Sequence, residues 1–265
     1  MDNLDDVTLL VLDHIKLTWF LGEMLYESEY SIVFKVYDTK HVAQVLKVYK
    51  RKLNTKHRNE IEMMKLTNKL NCVVKLLNYQ IIFNRMCIFT EYDEDYVDLF
   101  TFITYNLPEI TVKTVFTNVV NACILLDDNN IFHGDIKDEN ILVNKTSLAI
   151  KIIDFGDSVM KQNIKNLSYI GTDIFSPIEY LLNQQVDVDK TTVWSLGCLL
   201  HSISKNAYPY EERLEVGRKS LNLNPKIACD NLILLCLNND VNLRISIHKI
   251  LDHPWFKITE RYLPE

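Results

Sequence analysis

The stretch IFHGDIKDENIL, residues 131–142, constrains this chain more than any other. Asp135, Lys137, Asp138, Glu139 and Asn140 crowd together between the apolar ends Ile131-Phe132 and Ile141-Leu142. Apolar walls on both sides anchor such a loop, and charged groups drawn toward a core need partners there. A second polar knot follows in IKIIDFGDS, where an apolar strand runs into Asp154, Phe155 and Gly156, with Asp154 nineteen residues after Asp135. An acid at a strand end can simply open a turn. Together, however, Asp135, Asn140 and Asp154 offer the oxygens that Mg²⁺ takes from a protein when phosphates supply the rest.

A third signal lies upstream. In VLKVY, strand alternation puts Val45, Lys47 and Tyr49 on one face and Leu46 and Val48 on the other. A lysine flanked on its own face by apolar groups calls for an anion. The plainer alternative is that it snorkels to water.

Around these signals the chain changes character. WFLGEMLY, YSIVFKVYD, VAQVLKVYK, VVKLLNYQIIF and RMCIFTEY have strand composition, with one helix, KHRNEIEMMKLTNKL, among them. Beyond EYDEDYVD, residues 91–98, helix patterns dominate: DLFTFITY, VKTVFTNVVNACILLDDN, DNLILLCLN and SIHKILDHPW. DKTTVWSLGCLLHSIS is apolar nearly all round, which predicts a helix buried inside its lobe. The expected fold is therefore α+β and bilobal, with a small β-rich N-lobe at about 14–90, a hinge at about 91–97 and a helical C-lobe at about 98–260. All of these belong to one domain spanning 1–265.

Bulk properties exclude other classes. The hydrophobic fraction of 48% supplies a core. The net charge of −6 disfavours a nucleic-acid partner. The six cysteines form no C-x-x-C pair, and MDNLDD lacks the basic and apolar regions of a signal peptide. VWSLGCLL is too short to cross a membrane. The expectation is an intracellular protein, cytoplasmic or nuclear, with no membrane partner.

HGDIKDEN, the D-F-G that follows it and the upstream strand lysine resemble the protein-kinase signature set. EYDEDYVDLFTFI, HGDIKDENIL, GTDIFSPIEY, VWSLGCLL and DHPWF look most like the PIM kinases of the calmodulin-dependent kinase group. The resemblance implies an ATP- and Mg²⁺-dependent serine/threonine kinase. In it Asp135 accepts the substrate hydroxyl's proton and Lys137 steadies the transferred phosphoryl group, while Asn140 and Asp154 hold Mg²⁺. Lys47 would bind the α- and β-phosphates and pair with Glu60, with Glu62 as the fallback. Val33, Val45 and Leu142 would sandwich adenine, Thr90 would close the back of the pocket, and Glu91 and Asp93 would offer backbone groups to the base. Met64, Leu76, His133 and Phe155 would stack as an internal spine. Glu179 and Arg244 would tie the activation segment to the C-lobe. Asp98, Glu139 and Thr172 would face a protein substrate with basic residues near its phosphoacceptor.

Three departures from the pattern stand out. Tyr26, Ser28 and Ser31 occupy the positions where G-x-G-x-x-G requires glycine, which lets a backbone approach phosphates. Glu27 and Glu29 add charge there: a carboxylate ~10 Å from a phosphate charge costs ~0.4 kcal/mol in water and ~1.7 at an effective dielectric of 20. Gly134 replaces the arginine of H-R-D, which removes the usual receptor for a phosphorylated activation loop. Thr192 stands where most kinases have the aspartate of D-x-W-S-x-G. PIM kinases also lack that acid, so the change at 192 says little about catalysis; the missing glycines and Gly134 keep a second expectation open, a pseudokinase acting as a binding module.

Overall fold

The computed structural model describes residues 5–103, 107–164, 171–183 and 187–257. The last two residues of the predicted DLFTFITY helix and the C-lobe end expected at 258–260 lie outside them. The chain divides into two compact units, Met1–Asp95 and Tyr96–Glu265.

The N-terminal unit is built on an antiparallel five-stranded sheet of order β1-β2-β3-β5-β4. Its strands are β1 (Phe20–Glu27), β2 (Ser31–Tyr37), β3 (Ala43–Tyr49), β4 (Leu76–Ile82) and β5 (Arg85–Glu91). Alternation sorts its two faces. The row Phe34, Leu46 and Phe89 points to one side, and the rows Val33, Lys47, Ile88 and Lys35, Val45, Thr90 point to the other. Helix α2 (Thr55–Thr67) begins at Asn54, whose side chain accepts the His57 N–H.

One element was not expected. Helix α1 (Asp6–Ile15) is capped by Asp5 and buries Thr8, Val11, Leu12 and Ile15. The three apolar residues join Ile32, Phe34, Val36, Leu46, Val48, Cys87 and Phe89 in one core cluster. The N-terminal lobe is therefore incomplete at the predicted start near residue 14, because α1 supplies part of the cover over that face of the sheet.

The second unit opens with β6 (Tyr96–Asp98), which joins β8 (Ile141–Asn144) and β9 (Ile150–Ile152) in a three-stranded sheet of order β6-β8-β9. The short β7 (Ile131–Phe132) pairs with β10 (Val159–Met160). These two small sheets bracket the residue 133–140 loop from both ends. The helices are α3 (Leu99–Phe102), α4 (Glu109–Asp128), α5 (Ile178–Asn183), α6 (Val188–Lys205), α7 (Ala228–Cys236), α8 (Ile247–Ile250) and α9 (Pro254–Lys257). Helix α6 is buried along most of its length, from Thr191 through Ile203, as its all-round apolar sequence predicts. Helix α4 is long and apolar enough to cross a membrane by length and composition, which corrects the expectation that no segment is. Its Val115, Phe116, Val119 and Val120 are fully buried within the unit, the pattern of a core helix.

Candidate functional site

In the N-terminal unit, Lys47 lies between Val33 on β2 and Ile88 on β5. Its Nζ is 3.1 Å from Glu60 Oε1. Glu60 is 2% exposed on α2, whereas the fallback Glu62 is exposed, so the two-residue ambiguity resolves to Glu60. The pairing also overturns the snorkelling alternative. Val33 and Val45 are half-buried on the same sheet face, and Thr90 lies opposite Val45. Glu91 donates its N–H to the Lys75 carbonyl, and its Oε1 accepts the Lys75 N–H. Asp93 accepts the Asp95 N–H through its side chain, which shapes the segment after β5 as an Asx turn. Met64 is buried and Leu76 half-buried.

The β1–β2 turn departs from the electrostatic expectation. Glu27 pairs with Lys50 at 2.6 Å and Glu29 with Arg51 at 2.5 Å, so neither carboxylate presents a bare charge. Ser28 closes the turn upon itself. Its N–H donates to the Ser31 carbonyl, and its Oγ accepts the N–H groups of Tyr30 and Ser31. The N–H groups of Ser28, Tyr30 and Ser31 are thus engaged inside the turn.

In the second unit, Asp135 is held by donors from two directions. Its Oδ1 accepts the Thr172 N–H at 3.0 Å and the Thr172 hydroxyl at 2.8 Å. Its Oδ2 accepts Asn140 Nδ2 at 2.9 Å and lies 3.0 Å from Lys137 Nζ. Lys137 also donates to Thr172 Oγ1 and pairs with Glu139 at 3.1 Å. Burial alone would lower the lysine's pKa; the Asp135 and Glu139 carboxylates outweigh it and hold the ammonium above the ordinary lysine value. Thr172, expected to face substrate, is therefore a bridge between the Asp135 and Lys137 charges.

His133 is buried, with Nδ1 accepting the Asp135 N–H and Nε2 facing the Ile153 carbonyl. Burial lowers its pKa, so the ring is neutral and Nε2 carries the proton. It meets Phe155 edge to face at 5.0 Å. Asn140 turns its amide nitrogen toward Asp135, which makes Oδ1 the atom available to a cation. Asp154 sits in the left-handed region at φ 60°, and its Oδ1 accepts the Gly156 N–H. A non-glycine residue held there marks a position that its surroundings enforce. The side-chain oxygens of Asn140 and Asp154 are of the chemical type that a hard divalent cation takes. Leu142 is half-buried on β8, opposite Asp98 and Lys151.

The acids assigned to substrate have structural duties as well. Asp98 caps α3, accepting the Thr101 N–H and hydroxyl. Glu139 is 60% exposed at its side chain and pairs with Lys137. The expected Glu179–Arg244 pair is bidentate, at 2.7 and 2.8 Å, around a guanidinium with no solvent exposure. Thr192 bonds back to the Val188 carbonyl in its own helix. Gly134 has φ 88°, and a Cβ there would lie 2.5 Å from the Asp157 carbonyl oxygen.

Asp138 went unassigned in the sequence. It is buried and accepts the Tyr208 hydroxyl at 2.9 Å and the Ser202 hydroxyl at 3.2 Å, which pins the loop to α6 and the segment after it. Burial raises its pKa against the pull of those two donors.

Residues 22–256 match the protein kinase domain family. The chain belongs to that family. This kinase domain is 35% identical over 162 residues to serine/threonine-protein kinase pim-2 of Danio rerio, covering 60% of the chain and 52% of the relative. It is 29% identical over 210 residues to serine/threonine-protein kinase prk-2 of Caenorhabditis elegans, covering 75% and 47%. Serine/threonine-protein kinase ppk6 of Schizosaccharomyces pombe is 30% identical over 188 residues, covering 69% and 24%. The matched regions span about half or less of these relatives' lengths. The likeness to the PIM kinases expected from the motifs holds, and protein kinases as a class use ATP with a divalent cation.

Proposed function

We propose that this kinase domain transfers the γ-phosphoryl group of Mg²⁺-ATP to serine or threonine of protein substrates with basic residues near the phosphoacceptor. The observation that carries this reading is the Asp135 carboxylate, held in place by Thr172, Asn140 and Lys137. In the reaction the substrate hydroxyl oxygen attacks the γ-phosphorus, Asp135 takes the hydroxyl proton, and ADP leaves. Lys137 offsets charge on the phosphoryl oxygens. Lys47, kept in position by Glu60, would hold the α- and β-phosphates. Asn140 and Asp154 would hold Mg²⁺, which supplies charge neutralisation when bound. Asp98 and Glu139 support a preference for basic substrates. Gly134 supports independence from activation-loop phosphorylation, since no H-R-D arginine exists to receive a phosphate. An intracellular setting, cytoplasmic or nuclear, belongs to the same reading.

The β1–β2 turn favours a second reading, a binding module without catalysis, because the N–H groups of Ser28, Tyr30 and Ser31 are spent inside the turn rather than offered to phosphates. Calorimetric titration with ATP, with and without Mg²⁺, tests the choice. The catalytic reading expects saturable, Mg²⁺-dependent binding that Lys47→Met weakens at least about tenfold, the cost of one charge-assisted contact. No ATP binding at millimolar concentration supports the binding module.

A further inference from the structure

Glu60 is almost wholly buried, and a buried carboxylate is stable only when its charge is paired and both oxygens have donors. Lys47 serves Oε1. The hydroxyl of Tyr49 donates to Oε2. Tyr49 can do so because it lies two residues beyond Lys47 on β3 and so projects from the same sheet face. Tyr49 is 8% exposed, and Lys47 Nζ stands 4.8 Å from the ring centroid, within cation–π range.

The same ring grips α2 a second time. His57, three residues before Glu60 and hence on the same side of the helix, packs on Tyr49 with the rings tilted by 32° and centroids 4.1 Å apart. His57 is buried, and burial first, then Lys47 and Lys56, keep its pKa below the ordinary histidine value. The imidazole is therefore neutral and adds no positive charge beside the lysine.

We propose that Tyr49 is a positioning residue that fixes Glu60, and with it helix α2, in the lysine-paired arrangement. The helix is then held by a side chain of β3 itself as well as by Lys47. A domain with no arginine at 134 to read an activation-loop phosphate keeps its Lys47–Glu60 pair through this contact. The kinetic consequence rests on the proposed function; the structural consequence does not.

Hydrogen exchange and kinetics on the full chain test it with Tyr49→Phe, which keeps the ring, its stacking and its cation–π contact and removes only the hydroxyl. Amides of α2 should exchange about tenfold faster in the variant, the effect of losing one hydrogen bond to a charged group, while β2 and β5 exchange at the wild-type rate. Phosphoryl transfer should lose about tenfold in kcat with the peptide KM unchanged, measured well below the variant's melting transition so that its folded fraction equals that of wild type. In Glu60→Ala the hydroxyl has lost its acceptor, so adding Tyr49→Phe should leave α2 exchange within about twofold of the Glu60→Ala rate. Exchange of α2 within about twofold of wild type in Tyr49→Phe would overturn the assignment. So would a further acceleration of about tenfold on adding Tyr49→Phe to Glu60→Ala. A wild-type chain that transfers no phosphate, yet whose α2 protection depends on the Tyr49 hydroxyl, would sink the kinase reading and leave this inference standing.

Discussion

Restoring the arginine that protein kinases usually carry beside the catalytic aspartate should damage this domain. Gly134 sits at φ 88°, where side-chain-bearing residues are strained by ~1–2 kcal/mol. Any Cβ would also come within 2.5 Å of the Asp157 carbonyl oxygen, which is backbone and cannot swing aside. Shifting packed backbone to relieve such a contact costs ~1–3 kcal/mol more. Gly134→Ala isolates these two costs, which sum to roughly 2–5 kcal/mol. At ~2–4 °C per kcal/mol for a unit of this size, the melting temperature should fall by at least about 4 °C. Gly134→Arg should fall at least as far and gain no activity from phosphorylation of the activation segment. Differential scanning calorimetry reads the first effect, and transfer assays before and after phosphatase treatment read the second. A Gly134→Ala variant melting within about 1 °C of wild type would refute the reasoning, as would an arginine variant whose activity came to require loop phosphate.

Other consequences follow from the same contacts. Arg244→Met strands Glu179 beside a site lined by the Lys190 and Asn238 carbonyls, and should cost ~3–5 kcal/mol in denaturant unfolding; a loss under about 1 kcal/mol would contradict the buried pairing. Ser28→Gly removes the oxygen that takes the Tyr30 and Ser31 N–H groups, so calorimetric ATP affinity should rise about threefold to tenfold; unchanged or weaker binding would show that the turn does not limit nucleotide contact. His57, His133, His201 and His253 all have pKa values pushed below 6.5, chiefly by burial. Below pH ~6.5 the unfolded chain therefore binds more protons than the folded one, and stability present above that pH is lost as pH falls. The fully buried His133 acts in the same direction. Melting temperature should drop between pH 7.5 and 5.5; a flat or rising profile would contradict it.

How much of this was legible in the sequence depended on the reach of each interaction. The face shared by Val45, Lys47 and Tyr49 follows from strand alternation alone, and motif spacing singled out Asp135, Asn140 and Asp154, of which the structure joins Asp135 to Asn140. Helix α1 was legible and overlooked: Asp5 is a capping residue, and Thr8, Val11, Leu12 and Ile15 recur at helical spacing. The role of Asp138 was not legible, since its partners Ser202 and Tyr208 lie 64 and 70 residues away. Thr172 reaches Asp135 across 37 residues for the same reason. The loop glutamates misled because charge was read without its neighbours: Lys50 and Arg51 are brought opposite them only when β2 and β3 pair.

The claim on which the account rests is that Asp135 takes a proton during phosphoryl transfer. Radiolabel transfer from γ-labelled ATP to a basic serine peptide, compared between wild type and Asp135→Asn purified identically, tests it most directly. Asparagine keeps the shape and loses the base, so transfer should fall by about 10²–10⁴-fold, while ATP binding stays within a few-fold. Equal transfer by both proteins would mean that the label is moved by something else, and the catalytic account would fail.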